Sequence, residues 1–419
     1  QCESFACVSG PATVCDDGDP CTEATCDSDD GCEYEAFYDG VTCIPDPATW
    51  TLLVYMAADN NLEGAALEDM EELLEIPGSE DLHIVVQMDR APGYSSSSLS
   101  GVGSWESTKR LEIQGGEITE WEDLGETNTG EPSVLADFIA WGVETFPADR
   151  TMLVLWNHGN AWHGYGGDGS TEDTDHLDVM EISQGVSDGL AQAGLERFDL
   201  LGFDACLMAD LAAIRAMAPY ADYLLVSEDF EPGNGWDYED FDEIVDNPSI
   251  LVRTLGQELV DGFRAQSKQN KKHHSITLAL MESDTLPEVE AAFADLLDAM
   301  GGLLGDDGTA VARGRDLTQE FGRSPLPDKH LHMADLGDLA TRISIQEPSL
   351  IPVKDALLQA LDAFVLHRVD GKLTTDATGV AVYFPRYAEH YDEHFDDVAG
   401  MADWRAFLTD YYATAAAEE

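Results

Sequence analysis

A chain of 419 residues, 44% of them hydrophobic, is long enough for two or three domains and a large core. Its formal net charge of −62, with 83 acidic residues against 21 Lys and Arg, excludes nucleic-acid binding, which needs basic groups to neutralise phosphates. Such a balance suits concentrated salt, where screening weakens self-repulsion, or else an acidic secreted protein without salt adaptation. Dense carboxylates also invite calcium.

Residues 1–46 hold seven of the eight cysteines and no Lys or Arg. That density predicts a small disulfide-rich segment and an oxidising, extracytoplasmic compartment, secreted or at the cell surface. The spacings of 4, 7, 5, 4, 5 and 10 intervening residues contain no Cys-x-x-Cys, which weighs against zinc. Seven is odd, so at most three bridges form, with Cys2 the expected orphan. Gln1 is no initiator Met, which fits removal of a signal peptide. No apolar run approaches the ~20 residues of a membrane helix. Cys15-Asp-Asp-Gly-Asp-Pro-Cys-Thr, with Cys26 and Cys32, resembles small Cys-rich repeats of secreted proteins, whose plainest role is a spacer. Pro45-Asp46-Pro47 reads as a linker.

From Trp50 the texture changes. Periodicity predicts strands over 50–56 and 82–88 and a helix over 62–74, after a turn at Asp59-Asn60-Asn61. A loop at 93–103 and a helix over 132–145 follow, the latter opened by Pro132. The apolar run 151–157 ends in His158-Gly159, and the run 198–203 ends in Asp204-Ala205-Cys206. Helices are expected over 178–193 and 207–217, and a strand over 223–227. The alternation predicts an α/β fold: a mostly parallel sheet flanked by helices on both faces. Ligands of such sheets bind beyond the carboxyl ends of the strands, where His158 and Cys206 fall. Residues 47–245 read as a catalytic domain. Residues 246–419 read as a helical C-terminal extension packed on it, with helices over 248–266 and 286–304 and strands over 275–281 and 379–384. The one basic patch, 268–274, reads as a solvated loop.

An imidazole and a thiol at two strand ends are the minimal parts of a cysteine-nucleophile enzyme, because the thiol needs a nearby base. Cys206 is the only cysteine beyond Cys43. The plain alternatives are a buried inert thiol and a satisfied core histidine. His163 reads as loop decoration; as a zinc ligand beside His158 it would make a metal-dependent hydrolase, but no third ligand is evident. Asp168, Asp173, Asp175 and Asp178 cluster in a Gly- and Asp-rich loop and are candidate calcium ligands, a solvated acidic loop being the alternative.

Six segments carry a resemblance. They are Tyr55-Met-Ala-Ala-Asp-Asn-Asn-Leu62, Leu155-Trp-Asn-His-Gly159, Asp204-Ala-Cys206, Ser227-Glu-Asp229, Glu231-Pro-Gly-Asn-Gly-Trp236, and Thr378-Gly379 with Tyr383-Phe-Pro385. Together they resemble the clostripain-like cysteine peptidases, relatives of caspases, gingipains and legumains, from about residue 50 to 390. The resemblance implies a caspase-like fold and an endopeptidase acting on a peptide or protein substrate, with no cofactor needed for the chemistry. Cys206 would be the nucleophile and His158 the acid and base. A helix directly after Cys206 would favour the thiolate, and the N–H groups of Cys206 and Gly159 would form an oxyanion hole. Gly159 lets the backbone approach closely. The resemblance also implies that Asp204, two residues before the nucleophile, faces the specificity pocket and pairs with Arg or Lys; the alternative is a strand-end Asp holding a turn. Asn234 and Trp236 are the other substrate-binding candidates. Asn234 stands where basic-specific relatives often carry Asp. Relatives are commonly nicked between His and Cys at a basic residue, yet 159–196 holds no Lys or Arg, so a basic-specific enzyme has no site there. The alternative to an endopeptidase is a catalytically silent relative that binds peptides or surfaces.

Overall fold

The computed structural model describes the backbone at residues 2–3, 6–7, 22–27 and 31–36, and residues 48–171, 174–305, 308–324 and 329–414 with their side chains. The chain divides into two compact units, 1–48 and 49–419. In the first, Thr22–Asp27 pairs antiparallel with Gly31–Ala36 and Cys2–Glu3 with Ala6–Cys7. The bridges expected for Cys2 to Cys43 concern side chains outside the described residues, among which Cys206 is a free thiol.

A nine-stranded sheet organises the second unit. Its strands are β1 (Ala48–Met56), β2 (Leu82–Asp89), β3 (Thr108–Gln114), β4 (Glu117–Gly125), β5 (Ala148–Trp156), β6 (Phe198–Asp204), β7 (Ala221–Val226), β8 (Thr277–Glu282) and β9 (Val365–Asp370). Their order is β9-β8-β7-β6-β5-β1-β2-β3-β4. The pairs β1–β2, β5–β6 and β6–β7 are parallel, and the outer pairs β2–β3, β3–β4, β7–β8 and β8–β9 are antiparallel.

Side chains alternate across the pleat. In β1, Leu53 and Tyr55 enter one core while Trp50, Leu52, Val54 and Met56 enter the other. Burial on both faces is why the central strands read as unbroken apolar runs. The second core is closed by α1 (Glu63–Glu75), through Ala66, Leu67, Met70 and Leu73, and by Val252–Gln269, through Leu255, Leu259 and Phe263. The first core is closed by α2 (Pro132–Thr145), α3 (Val179–Ala193) and α4 (Leu211–Met217). The expected layering, a sheet with helices on both faces, is the one observed.

Residues 246–419, expected as an extension, lie in the same compact unit and extend the same sheet with β8 and β9. They also contribute long helices, among them Leu286–Leu304 and Ile351–Phe364, and a small sheet of Glu320–Phe321, Met333–Asp335 and Ala381–Tyr383. No described helix is long and apolar enough to cross a membrane.

Candidate active site

The loops after β1, β5 and β6 meet at one end of the sheet. The Asn157 N–H donates to the Asp204 carbonyl at 3.3 Å, which ties the β5 end to the β6 end. The Asn157 side chain donates to the Ala57 carbonyl and accepts from the His158 N–H. Asn60 donates to the Asn157 side chain at 3.2 Å and to the Gly167 carbonyl at 2.8 Å. The β1 loop thus clamps the backbone that presents His158. Its next residue, Asn61, places Oδ1 3.1 Å from His158 Nε2, leaving Nδ1 as the ring nitrogen free to exchange a proton. Asn61 lies in the segment Tyr55 to Leu62, where only its contact with His158 reveals a role.

Gly159 explains how the two loops come so close. A Cβ there would lie 2.0 Å from the Cys206 carbonyl oxygen and 3.0 Å from the Cys206 nitrogen, so any side chain would drive the loops apart. His158 and Cys206 line one cavity of about 190 Å³ with Leu62, Trp156, Asp204 and Glu231.

The thiol differs from the expectation in one respect. The helix after it begins at Leu211, not Leu207. Leu207 takes φ +67°, and the N–H groups of Leu207 and Ala209 donate to the Asp229 and Ser227 carbonyls. A helix dipole falls off within the first turn, so it gives Cys206 little. Burial, with the nearby Asp204 and Asp229, pushes the thiol above its usual pKa, and the Glu231 N–H donates to Sγ at 3.3 Å. Burial also holds the His158 imidazole below its usual pKa. Both groups therefore rest neutral at pH 7.

Asp204 lines the same cavity and is 4% exposed. It accepts from the Tyr238 hydroxyl at 3.1 Å and the Trp236 N–H at 3.3 Å, while burial pushes its pKa up to about 6. Glu231 was not among the candidates, yet both its carboxylate oxygens are buried beside Asp204, and burial followed by Asp204 raises its pKa well above the usual value. Trp236 is 1% exposed, with its ring against Gly202 in the second core, so it supports Asp204 from behind. The Asn234 amide is turned to Gln266, which also bonds Glu72, and it is not among the cavity-lining residues.

The acidic loop is arranged differently from the set read in sequence. Asp178 is the N-cap of α3, accepting from Met180 and Glu181 in a capping box. Asp175 accepts from Asn128 at 2.7 Å, and Asp173 lies outside the described residues. Asp168 instead gathers with Asp59, Asp89 and Glu126, their oxygens within 4.8 Å of one another. Asp59, Asp89 and Asp168 are each 0% exposed, and Asp59 Oδ1 and Asp89 Oδ2 have no hydrogen-bond partner. This group sits directly behind the clamp on His158, since the Gly169 N–H donates to the Asp59 carbonyl at 2.7 Å. His163 stacks on Trp162 and lies 3.8 Å from Asp392, so its ring is engaged away from His158.

Residues 54–398 match the model of the clostripain family. Over 226 residues the chain is 28% identical to clostripain of Hathewaya histolytica, covering 46% of this chain and 42% of that protein. The chain thus spans less than half the length of that relative. An X-ray structure of an inactive zymogen C11 protease from Parabacteroides distasonis superposes with a TM-score of 0.65 at 18% identity, over 86% of this chain and 99% of that one. A secreted C11 cysteine protease from Bacteroides thetaiotaomicron, in complex with an irreversible peptide inhibitor, gives a TM-score of 0.62 at 18% identity, over 86% and 99%. At these identities the superpositions establish the fold.

Proposed function

This chain belongs to the clostripain family, and from that premise we propose that it is a secreted cysteine endopeptidase that cleaves after Arg or Lys. The observation that carries the reading is the shared cavity: a thiol and an imidazole on its wall, two buried carboxylates below them. Cys206 Sγ passes its proton to His158 and attacks the scissile carbonyl carbon. The N–H groups of Cys206 and Gly159 receive the oxyanion. His158 returns the proton to the leaving amine, then takes one from the water that hydrolyses the thioester. A free thiol rests neutral here, so proton transfer waits on substrate. A cationic side chain beside Asp204 and Glu231 offsets the negative field that opposes thiolate formation. Glu231 presents a second carboxyl group beside Asp204, which burial holds protonated until a cation is bound. Secretion rests on the Cys-rich head.

Fluorogenic peptides ending in Arg, Lys, Leu or Asp test the specificity. Charge-assisted pairing contributes about 1.5–3 kcal/mol, so the basic substrates should be favoured roughly 10- to 150-fold in kcat/KM. Asp204→Asn should remove most of that preference. The kcat/KM of wild type on Arg peptides should fall as pH drops through about 6, because protonated Asp204 no longer attracts the cation. Equal turnover of the Leu or Asp peptides would refute basic specificity.

Calcium is the fitting ion for Asp59, Asp89, Glu126 and Asp168, because buried unpartnered carboxylate oxygens converge there. The ion would fasten the β1 loop to the 166–170 loop, and so hold Asn60 and Asn61 in place. Calcium at about 100 times Kd should stabilise the protein by roughly 2.7 kcal/mol, read as a rise in Tm. Asp89→Asn should abolish that rise. An equal rise in the variant, or none in wild type, would refute the ligand set.

A further inference from the structure

Five of the eleven histidines line one cavity away from Cys206: His163, His330, His332, His390 and His394. Within it one group has ligand geometry. Glu320, His330 and His332 each offer an atom, and these atoms lie within 4.8 Å of one another. Glu320 ends the short strand Glu320–Phe321, and His332 directly precedes its antiparallel partner Met333–Asp335. His332 sits at φ +54° and is pinned there by the Phe384 N–H, which donates to its carbonyl at 2.9 Å. His330 Nε2 is buried without a hydrogen bond and stands 3.2 Å from Glu320 Oε2. His332 Nδ1 stands 3.9 Å from Glu320 Oε1. The His330 and His332 rings stack at 4.6 Å, and the His332 and His390 rings at 5.2 Å. The group opens on a cavity of about 680 Å³.

We propose that Glu320, His330 and His332 form a binding site for a zinc-class divalent transition ion, separate from the catalytic dyad. Two imidazoles and one carboxylate are the donor set of such ions, and the cavity leaves a coordination position for water. Arg315 pairs with Glu320 Oε1 and Arg323 with Oε2 at 3.6 Å, and the two hold the carboxylate in place, as outer partners commonly fix a ligating carboxylate. The hard-cation set behind His158 has no nitrogen donor, so the two sites select different metals. The ion would clasp the small sheet. That sheet in turn supports the nucleophile loop, since the Ala381 N–H donates to the Ala209 carbonyl at 2.9 Å and the Gly322 N–H to Asp229 at 3.2 Å.

The test uses the full chain carrying Cys206→Ala, so that no catalytic thiol competes for metal, after removal of bound ions with a chelator. Cobalt(II) is titrated and visible absorption recorded. The expected result is one set of d–d bands, without thiolate charge transfer, displaced by zinc. Adding His330→Asn and His332→Asn should raise the cobalt Kd by about tenfold or more; either single variant serves if the double variant loses its circular dichroism. Bands that persist unchanged in a folded His variant would overturn the site. So would thiolate charge transfer alone, which would place the metal on the Cys-rich head, or absence of binding.

Discussion

Cys206→Ala is expected to reduce peptide turnover by about four orders of magnitude or more, with far-UV circular dichroism unchanged. His158→Ala should cost about as much, and the double variant little more, because nucleophile and base act as a unit. Asn61→Ala should cost less, since Asn61 acts through the imidazole, with its Oδ1 3.1 Å from His158 Nε2. Single-turnover kinetics on an Arg peptide check all four. Substantial turnover by Cys206→Ala would remove the thiol from the mechanism.

Gly159→Ala is the second large effect expected. The added methyl would need the space held by the Cys206 carbonyl, so the His158 and Cys206 loops must separate by an ångström or more. A misplacement of about 1 Å can cost about 100-fold in rate, and here it strikes the dyad and the oxyanion donors together. The loss should appear in kcat while Tm falls only modestly, because the collision is at a loop and not in either core. Wild-type kcat in Gly159→Ala would mean that the loops are not packed as described.

The central strands were legible because both of their faces are buried. Trp50 to Met56 is buried on both faces and apolar but for Thr51, so the run announces itself. The hairpin Thr108–Gln114 with Glu117–Gly125 was missed because its outer strand is largely exposed and charged, and Lys109 and Arg110 interrupt its inner strand. Those cations are buried against Glu120, Glu122 and Asp137, partners that no local pattern announces. The reach of α4 back to Cys206 was over-read. Apolar spacing over 207–217 fits a helix, but Leu207 and Ala209 spend their N–H groups on the β7 loop. At the site, His158, Gly159, Cys206 and Asp204 were visible as strand-end residues. Glu231 was not, because nothing local tells that this loop folds back beneath the thiol. Local Asp density pointed to Asp168, Asp173, Asp175 and Asp178 as a set. Asp178 with Glu181 has capping-box spacing, a helix start, whereas the carboxylates that converge come from loops far apart in sequence.

Covalent labelling reports whether the Cys206 thiol is activated through His158 and aimed by a basic side chain. The intact protein is treated with a peptidyl electrophile ending in Arg and with its Leu counterpart, then digested and mapped by mass spectrometry. A single adduct on Cys206 is expected, formed far faster with the Arg reagent, slowed in His158→Ala and absent in Cys206→Ala. An adduct on another residue, or equal rates for the two reagents, would contradict this mechanism.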